Sequence, residues 1–429
     1  MTVRDEVVDL LQRLIRIDTT NPPGNETAAA ELLRDYLEAN GVACELYAKD
    51  PARANLVARL RGGGGPTLAL LSHTDVVLAD PAEWERHPFG GELVAGEVWG
   101  RGALDMKGQV AASAVALASL AREGWRPAGE LVFVAAADEE FGVGMGMQWL
   151  VDAHADAVRA DYALNEGAGD RIEVGGRAFY VCSTAEKMSA PFLIRVHGRS
   201  GHASMPGIAD NALLKAAQLV QRIGTYEPEL QIGPEVAALL ETVAGRVPER
   251  AEEALELARA LDPMLGELVQ PLLGPTFAPT MINASEKRNV IPAVCEVTVD
   301  SRLLPGATPD EQLALARSVL GPGDYELVPI EAQGGTRSPI GGPLWDAVVS
   351  FVGAEEPNAA VAPVCVPGFT DSHWVREAFG TVAYGFFPAR AMDPAAAALL
   401  IHSANERIAV DDLELGVRFF RHAAQELLA

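Results

Sequence analysis

Two helices followed by two strands are predicted at the start of the chain. Apolar side chains recur at helical spacing over residues 3–17, and a second helix is expected over about 26–40. The short apolar runs 54–60 and 67–72 have the length and composition of buried strands. The glycine run 62–65 between them predicts a tight turn, because no Lys-Ser/Thr pair follows it as in a phosphate-binding loop.

Strands and helices then alternate. A helix is predicted over 108–122, a strand over 130–137, a helix over 147–158 and a further strand just before Glu166. The Gly-, Pro- and Trp-containing stretch 80–100 is a long connection of the kind that often carries function. This alternation is typical of a largely parallel sheet covered by helices on both faces. In such sheets, functional side chains collect at the carboxyl ends of the strands.

A different module is predicted from about Ser189. Its strand, helix, two paired strands, helix and strand are expected at 191–200, 210–223, 281–292, 293–304, 310–320 and 325–331. This β-α-β-β-α-β order is that of a ferredoxin-like module. The Ala-, Leu- and Glu-rich segment 233–272 lies between its first helix and its second strand and predicts two or three additional helices.

The first pattern resumes after the module and ends in a helix at 411–428. We therefore predict an α/β fold with a discontinuous three-layer α/β/α domain, formed by residues 1–188 and 333–429. The inserted ferredoxin-like (α+β) domain occupies 189–332. Two domains also agree with the length, because 429 residues exceed what one hydrophobic core usually supports.

Composition narrows the class of protein. With 49% hydrophobic and 22% charged residues the chain is typical of globular proteins. Its net charge of −25 argues against nucleic acid or an anionic membrane as the main partner. We expect a cytoplasmic protein, because neither an apolar signal core at the N-terminus nor an apolar run of membrane-spanning length is evident. The four cysteines are widely spaced among apolar neighbours, so reduced thiols are expected rather than disulfides or metal ligands.

Candidate chemistry begins at the end of the second predicted strand, where His73 and Asp75 point to the same side. Further candidates for the same site are Asp105, Glu139, Glu140, Glu166 and His402. Taken singly, each has an ordinary explanation, since a histidine at a strand end is often structural and an aspartate in a Gly-rich loop is often a turn former. Together they favour metal binding, because burying several carboxylates without a compensating cation is strongly unfavourable. Two histidines and four or five carboxylates suit two adjacent divalent ions better than one.

Seven motifs in order identify a family resemblance. They are SHTDVV, GALDMKG, DEE, NEG, GRSGHASMP, RNVIP with VDSRLLPG, and IHSANE, and they span nearly the whole chain. The chain resembles the dinuclear, co-catalytic zinc metallopeptidases and amidohydrolases, which include glutamate carboxypeptidase, succinyl-diaminopimelate desuccinylase, acetylornithine deacetylase and aminoacylase. Its tail is most similar to Gly-X carboxypeptidase and the fatty-acyl amino acid hydrolases. The resemblance implies a zinc-binding α/β domain with an inserted lid or dimerisation domain, and hence a homodimer.

The resemblance also implies residue roles at a site for two Zn²⁺ ions, with Co²⁺ or Mn²⁺ as alternatives. Asp105 would bridge the ions, His73 and Glu166 would complete one site, and Glu140 and His402 would complete the other. Asp75 would hold the second nitrogen of His73. Glu139 is then left without a metal and would act as general base for a metal-bridging hydroxide.

Substrate contacts are implied for the inserted domain. His202 would stabilise the oxyanion, although from the residues alone it is equally compatible with a surface-loop histidine. Asn289 and Arg302, expected on neighbouring strands, would bind a free carboxylate, the alternative being an ordinary salt bridge at Arg302. His373 joins this substrate-binding set, but it stands where many relatives carry Arg, and a neutral His recognises an anion less well.

The expected activity is metal-dependent hydrolysis of the amide bond of N-acyl amino acids or short peptides with a free carboxylate. A dipeptidase or aminopeptidase is an alternative, but it needs an acidic group for the α-amine that no motif identifies. A non-catalytic, metal-stabilised dimerisation protein is a third possibility, yet it predicts loss of the base, and Glu139 is present. We further hypothesise that the segment 233–272 helps to bind a bulky apolar acyl or N-terminal group.

Overall fold

The structure, a computed structural model, describes residues 2–429. The α-helices are α1 (Val3–Ile15), α2 (Glu26–Ala39), α3 (Lys107–Arg122), α4 (Met147–Ala153), α5 (Ala155–Val158), α6 (Ala212–Gly224), α7 (Pro234–Ala244), α8 (Ala251–Leu261), α9 (Pro263–Val269), α10 (Pro309–Leu320), α11 (Pro343–Glu355), α12 (Ser372–Phe379), α13 (Pro394–Leu400) and α14 (Val410–Leu427). The strands are β1 (Ala43–Ala48), β2 (Ala54–Arg61), β3 (Thr67–His73), β4 (Glu92–Val94), β5 (Glu97–Trp99), β6 (Glu130–Ala136), β7 (Tyr162–Asn165), β8 (Arg171–Val174), β9 (Arg177–Glu186), β10 (Met188–Ser189), β11 (Phe192–His197), β12 (Gly201–His202), β13 (Thr276–Asn283), β14 (Val290–Ile291), β15 (Val294–Leu303), β16 (Tyr325–Pro329), β17 (Gln333–Gly334), β18 (Ala360–Val366), β19 (Val382–Gly385) and β20 (Arg407–Ala409).

The chain divides into two compact units. The large unit comprises the chain up to Thr184 together with Ser338–Val364 and Thr370–Ala429. The inserted unit comprises Ala185–Arg337 and Cys365–Phe369. The segment Cys365–Phe369, which begins with the last two residues of β18, therefore belongs to the inserted unit although it follows the insertion in the chain.

The large unit is built on a mixed sheet with the strand order β1-β2-β6-β3-β7-β19-β9-β18, with β8 paired to β9. The pairs β6–β3, β3–β7 and β7–β19 are parallel. In contrast, β1–β2, β2–β6 and β19–β9 are antiparallel. The prediction of a largely parallel sheet therefore holds for the four neighbouring strands β6, β3, β7 and β19 and is wrong for the flanks. Although β2 directly precedes β3 in the chain, it pairs with the opposite side of β6 and runs antiparallel to it.

The glycine run between β2 and β3 crosses the start of β6 at close range. The N–H of Gly62 donates to the carbonyl of Gly129 at 2.9 Å, and that of Gly65 donates to the carbonyl of Ala128 at 2.9 Å. A Cβ atom at Gly62 would lie 1.6 Å from the carbonyl oxygen of Pro127. The run is glycine-rich because two backbone segments touch here.

Helices cover both faces of this sheet, so the predicted α/β/α layering is confirmed. On one face, α3 is buried along nearly its whole length, and α1, α2, α11 and α14 share its hydrophobic core. On the other face, apolar residues of α4, α5 and α12 pack on the sheet. The helix predicted over 147–158 is interrupted at His154, whose ring packs 4.7 Å from the rings of both Tyr47 and Trp149.

Three parallel strands end side by side and thereby position the residues that follow them. His73 at the end of β3 is in register with Ala136 at the end of β6. The segment containing Glu139 and Glu140 follows β6, and Glu166 follows β7 directly. These carboxylates therefore lie at the carboxyl ends of neighbouring parallel strands.

A small second sheet joins two distant parts of the large unit. Within the predicted connection 80–100, β4 and β5 form a hairpin, and β5 pairs with β20. Trp99 lies opposite Arg407 in this pairing. The loop that carries Asp105 is thus tied to the loop that carries His402.

The inserted unit has the ferredoxin-like order that the sequence predicted. Its antiparallel sheet runs β16-β11-β15-β13, and α6 and α10 pack on this sheet. The predicted strand 281–292 was misplaced: β13 ends at Asn283, and β14 pairs with β12 instead of β15. The chain turns at Ser285, whose hydroxyl accepts the N–H of Lys287.

Three helices, α7, α8 and α9, occupy the segment 233–272, as the composition predicted. None of the described helices combines the length and the apolar character that crossing a bilayer requires.

Candidate active site

Asp105 lies between two histidines. Its Oδ1 is 3.2 Å from Nε2 of His73, and its Oδ2 is 3.1 Å from Nε2 of His402. One carboxylate thus offers each oxygen to a different imidazole. This is the arrangement that two ions sharing a bridging ligand require.

A further carboxylate stands beside each histidine. Glu166 Oε1 is 3.7 Å from Nε2 of His73, and Glu140 Oε2 is 3.2 Å from Nε2 of His402. Ligand atoms of His73, Asp105 and Glu140 lie within 4.8 Å of one another, and so do those of His73, Glu139 and Glu166. The structure therefore brings together the six side chains His73, Asp105, Glu139, Glu140, Glu166 and His402, which the sequence analysis proposed as one metal site.

The electrostatics of the cluster favour a cation. Burial raises the pKa of Glu139 and Glu166 well above the usual value, and neighbouring carboxylates raise it further. Hydrogen bonds with Asp105 and Glu140 raise the pKa of His402 to about 10. Burial opposes a charged His73, but hydrogen bonds with Asp105 and Asp75 outweigh burial, and the pKa of His73 is raised. The protonated forms are favoured because the site holds more negative charge than its own side chains balance.

The donor atoms also fit a divalent ion of the zinc type. Imidazole nitrogens and carboxylate oxygens are its usual ligands. Glu140 Oε1 is buried and finds no hydrogen-bond partner among residues 2–429. A buried carboxylate oxygen normally has a partner, so this atom is free to bind an ion.

Asp75 connects the two halves of the site. Its carboxylate is 3.4 Å from Nδ1 of His73, which also lies 3.1 Å from the main-chain oxygen of Asp75. The same carboxylate accepts the backbone N–H groups of Glu139 and Glu140 at 3.2 and 3.1 Å. Asp75 therefore lies against the second nitrogen of His73 and also holds the turn that carries both glutamates; its role in orienting the histidine stays a prediction.

Asn21 is a supporting residue that the sequence analysis missed. Its side-chain amide donates to Asp75 at 2.8 Å and to Asp138 at 3.1 Å. Asp138 in turn accepts from Arg53 at 3.2 Å. The partners of Asn21, which are Asp75 and Asp138, lie 54 and 117 residues away along the chain. No local pattern in the sequence therefore identified Asn21.

Glu406 is the second missed residue, although it stands in the IHSANE motif. It is fully buried, and its carboxylate accepts from Arg101 at 2.8 Å. It also accepts the backbone N–H groups of Gly102, Leu104 and Asp105 at 3.0, 2.7 and 3.0 Å. Glu406 therefore fastens the Asp105 loop to the segment that carries His402.

A family model describes most of this chain. The model for peptidase family M20/M25/M40 matches residues 69–426, a range that contains every ligand candidate. The chain belongs to peptidase family M20/M25/M40. It is therefore a hydrolase of a metal-dependent family, and the predicted resemblance is confirmed.

Curated relatives that the chain matches include succinyl-diaminopimelate desuccinylases. The enzyme of Rhodospirillum centenum is 34% identical over 230 residues, which cover 51% of this chain and 56% of the relative. The enzyme of Methylobacterium nodulans is 37% identical over 217 residues, or 48% and 52% of the two chains. The chain thus matches about half the length of these relatives.

Solved structures of the family share the fold over the whole chain. An M20 metallo-carboxypeptidase from Sulfolobus solfataricus has a TM-score of 0.73 at 18% identity and covers 99% of both chains. Human carnosine dipeptidase 1 has a TM-score of 0.68 at 17% identity and covers 98% of this chain and 96% of its own. A di-peptidase from Saccharomyces cerevisiae reaches 0.69 at 15% identity, with coverages of 99% and 98%. At these identities the likeness establishes the M20 fold alone.

In the inserted unit, the structure brings His202 and Asn289 together. His202 is exposed on β12, opposite Val290, and its Nδ1 lies 2.7 Å from the hydroxyl of Ser204. The carbonyl of Asn289 accepts the N–H of Ala203 at 3.0 Å. The expectation that Asn289 and Arg302 occupy neighbouring strands was wrong, because Asn289 lies in the turn before β14 and Arg302 lies on β15.

Arg302 forms the salt bridge that the sequence left open as an alternative. Its Nε and Nη2 each donate to a different oxygen of Asp300, both at 3.0 Å. Both side chains are about one-third exposed, at 30% and 36%. The guanidinium is therefore aligned by a neighbour, and its contact with a substrate carboxylate stays a prediction.

His373 is buried in the first turn of α12. Its Nδ1 donates to the carbonyl of Thr370 at 2.7 Å, and its ring packs on Trp374 at 4.0 Å between centroids. Burial lowers the pKa of His373 to about 4. It is therefore neutral at pH 7 and supplies no positive charge for an anionic substrate, and its substrate role also stays a prediction.

Proposed function

We propose that this M20 hydrolase is a dinuclear amidohydrolase that cleaves the amide bond of N-acyl amino acids or short peptides with a free carboxylate. The observation that carries the proposal is Asp105, whose two oxygens face His73 and His402 at 3.2 and 3.1 Å. Glu139 lies beside this cluster and is buried. A bridging carboxylate and an adjacent proton carrier are what hydrolysis by a paired-metal site needs.

The ligands divide into two sets around Asp105. His73 and Glu166 would hold one ion, and Glu140 and His402 would hold the other. Zinc suits these nitrogen and oxygen donors, and cobalt or manganese also fit them. When bound, such ions supply Lewis acidity and make water easier to deprotonate.

Glu139 moves the proton in this proposal. Burial and the neighbouring charge of Glu166 raise its pKa, which makes the carboxylate a better proton acceptor. Glu139 takes a proton from the attacking water and then delivers it to the nitrogen of the departing amine. The Asp75 carboxylate accepts the backbone N–H of Glu139 at 3.2 Å and so keeps Glu139 in position.

The inserted unit completes the proposal. The family resemblance assigns oxyanion stabilisation to His202 and carboxylate binding to Asn289 and Arg302. The unit also offers a face for a second copy of the chain: β13 pairs with β15 alone among the described strands, and it exposes 69% of Met281 and 54% of Ile282. An apolar edge strand is prone to pair with another strand. We therefore propose a homodimer formed through β13.

The decisive experiment compares substrates on purified, metal-loaded protein. The panel contains N-acetyl, N-succinyl and longer N-acyl amino acids together with dipeptides that have a free or a blocked amine. We expect turnover of substrates with a free carboxylate on the amine side. Activity confined to peptides with a free α-amine favours an aminopeptidase or dipeptidase instead.

The role of Glu139 is tested separately. Glu139→Gln keeps the size of the side chain but cannot accept a proton, so we expect metal affinity to persist while kcat falls by a factor of about 10² or more. The exposed Glu31→Gln serves as the matched control and leaves both unchanged. Retained turnover in Glu139→Gln refutes the assignment, and metal loss in the same variant reassigns Glu139 as a ligand.

A further inference from the structure

The two adjacent glutamates of the candidate site lie in a short loop that closes on itself. We call residues 138–145 the glutamate loop, because it carries Glu139 and Glu140. Met145 at its end donates its backbone N–H to the carboxylate of Asp138 at 2.9 Å. Asp138 has a φ of 64°, a conformation that few non-glycine residues adopt and that this bond helps to hold. The two ends of the loop are thus joined, as in the compact surface loops that often carry function.

Backbone atoms touch at the neck of the loop, which is formed by residues 137–138 and 145–146. A Cβ atom at Gly146 would lie 1.8 Å from the carbonyl oxygen of Ala137. Glycine is required there because any side chain would collide with the end of the strand segment that the chain has just left. Glu139 is the second residue after this contact, so its backbone moves with the neck.

Asn55 holds the neck closed from the neighbouring strand. The backbone pairing of β2 with β6 ends at Leu56 and Ala135, and Asn55 is the preceding residue of β2. Its fully buried side chain accepts the N–H of Ala137 at 2.9 Å and donates to the carbonyl of Met145 at 2.9 Å. A single side-chain amide therefore bonds to both sides of the neck.

An amide carries both kinds of group that this position needs. Its oxygen accepts, and its nitrogen donates to the carbonyl of Tyr47 at 3.2 Å as well as to that of Met145. An aspartate would set a second oxygen against these carbonyls, and an apolar side chain would remove all three bonds. The chemistry of Asn55 is thus matched to closing the neck and not only to filling space.

The tip of the glutamate loop has a separate attachment. The carbonyl of Gly144 accepts from Lys49, an exposed side chain, at 2.9 Å. Phe141 and Val143 beside it are 56% and 47% exposed. The tip follows the glutamates in the chain, so its attachment can be broken while the neck stays closed.

We propose that Asn55 is a positioning residue for Glu139 and Glu140, which acts through the neck of the glutamate loop. This inference rests on the proposed role of Glu139 in amide hydrolysis and extends it to a residue of β2 outside the ligand cluster. An open neck displaces the Glu139 carboxylate, and a displacement of about 1 Å in a reacting group can lower a rate about 100-fold. The proposed substrate contacts belong to the inserted unit, so kcat should fall while KM stays the same.

Two variants open the neck in different ways. Asn55→Ala removes the side chain that bridges it, and Gly146→Ala places a methyl group against the carbonyl of Ala137. For each variant we expect kcat of the metal-loaded protein to fall about 10- to 100-fold, with KM within about twofold of the wild-type value. Because either variant can fail to fold, each is sufficient to test the proposal without the other.

Two control variants separate the neck from its surroundings. Lys49→Met breaks the contact at the tip and should leave kcat unchanged. Gly62→Ala controls for lost stability, because a Cβ at this position meets Pro127 and Gly129 and not the glutamate loop. An equal fall of kcat in either control overturns the proposal, and so does a neck variant that changes KM alone.

Hydrogen exchange tests the neck without substrate or metal. The N–H groups of Ala137 and Met145 are bonded at the neck, so Asn55→Ala should exchange at least about tenfold faster over residues 137–146 and normally in the rest of β6. Unchanged exchange in this segment overturns the proposal, and so does faster exchange throughout the large unit, which assigns Asn55 a general structural role.

Failure of the proposed function is distinguishable from failure of this inference. If the wild-type protein cleaves no amide in the panel, the proposed function is refuted, and hydrogen exchange together with Zn²⁺ affinity still decides the role of Asn55. Since Glu140 shares the loop, we expect Asn55→Ala and Gly146→Ala to bind Zn²⁺ about tenfold more weakly in calorimetric titration. Unaltered affinity in both variants overturns the positioning of Glu140.

Discussion

The carboxylate of Glu406 accepts the backbone N–H of Asp105 at 3.0 Å, across 301 positions of sequence. The same carboxylate pairs with Arg101, and both side chains are almost completely buried. The residue that lies between the two histidines is therefore held in place by a second, buried acid. In metal sites such supporting contacts commonly affect affinity as strongly as a ligand does.

Glu406→Gln should weaken metal binding and destabilise the fold. The substitution leaves Arg101 buried without its charge partner, which costs about 3–5 kcal/mol in the free energy of unfolding. Displacement of the Asp105 loop should lower metal affinity roughly 10- to 100-fold. Calorimetric titration with Zn²⁺ and urea unfolding measure the two effects. Glu414→Gln, which breaks a partly exposed pair with Arg4, should change neither by more than about 1 kcal/mol.

Metal affinity should rise with pH. The neighbouring carboxylates raise the pKa of His402 to about 10, so at neutral pH the imidazole carries a proton that an ion must displace. Raising the pH removes this competitor, and affinity should increase up to about tenfold per pH unit for each proton released. Chelator competition between pH 6.5 and 8.5 measures the slope. His402→Ala should reduce both the affinity and the slope, and a flat profile for the wild-type protein would contradict the prediction.

Arg302→Ala should raise KM for substrates with a free carboxylate. A charge-assisted hydrogen bond is worth about 1.5–3 kcal/mol, which corresponds to a KM roughly 10- to 150-fold higher. Arg195→Ala provides the control, because Arg195 also pairs with an acid on the same sheet, Glu296, at 2.7 Å. If both variants change KM equally, Arg302 has a structural role only. Unfolding curves for both variants exclude a general loss of stability.

Gly62→Ala should destabilise the large unit, whereas Gly64→Ala should not. A Cβ at position 62 would lie 1.6 Å from the carbonyl of Pro127, so the backbone would have to move. A Cβ at position 64 would meet no described atom within 4 Å. We expect a loss of about 1–3 kcal/mol for the first variant and less than about 0.5 kcal/mol for the second. Equal stability of the two variants would contradict the close approach of the glycine run 62–65 to residues 127–129.

Elements whose signal is local were predictable. The apolar stripe over residues 3–17 became α1, and the Ala-rich run 108–122 became α3 within one residue at its start. The strand that ends at His73 and the strands before Glu139 and Glu166 also formed where apolar runs placed them. Burial of one face of a helix or strand requires apolar residues at a fixed spacing, and this spacing is visible within a few consecutive residues.

Elements whose partners are distant were less predictable. The run 281–292 has the composition of one strand, but the chain breaks it at Ser285 and pairs its two ends with different strands. For the same reason Asn289 lies next to Ala203 rather than beside Arg302. Propensity describes whether a segment suits a sheet, but the choice of neighbour depends on competition among all available strands.

The sequence by itself determined the fold class, the inserted ferredoxin-like module and the set of acids and imidazoles able to hold metal ions. These features depend on motifs and periodicities that short stretches of consecutive residues contain. Only the tertiary structure decided which side chains support that set. Asn21, Glu406 and Asp138 acquire their roles through hydrogen bonds that span roughly 50 to 300 positions. Burial removes the competing water at these contacts, and burial is a property of the assembled core that no local stretch of sequence contains.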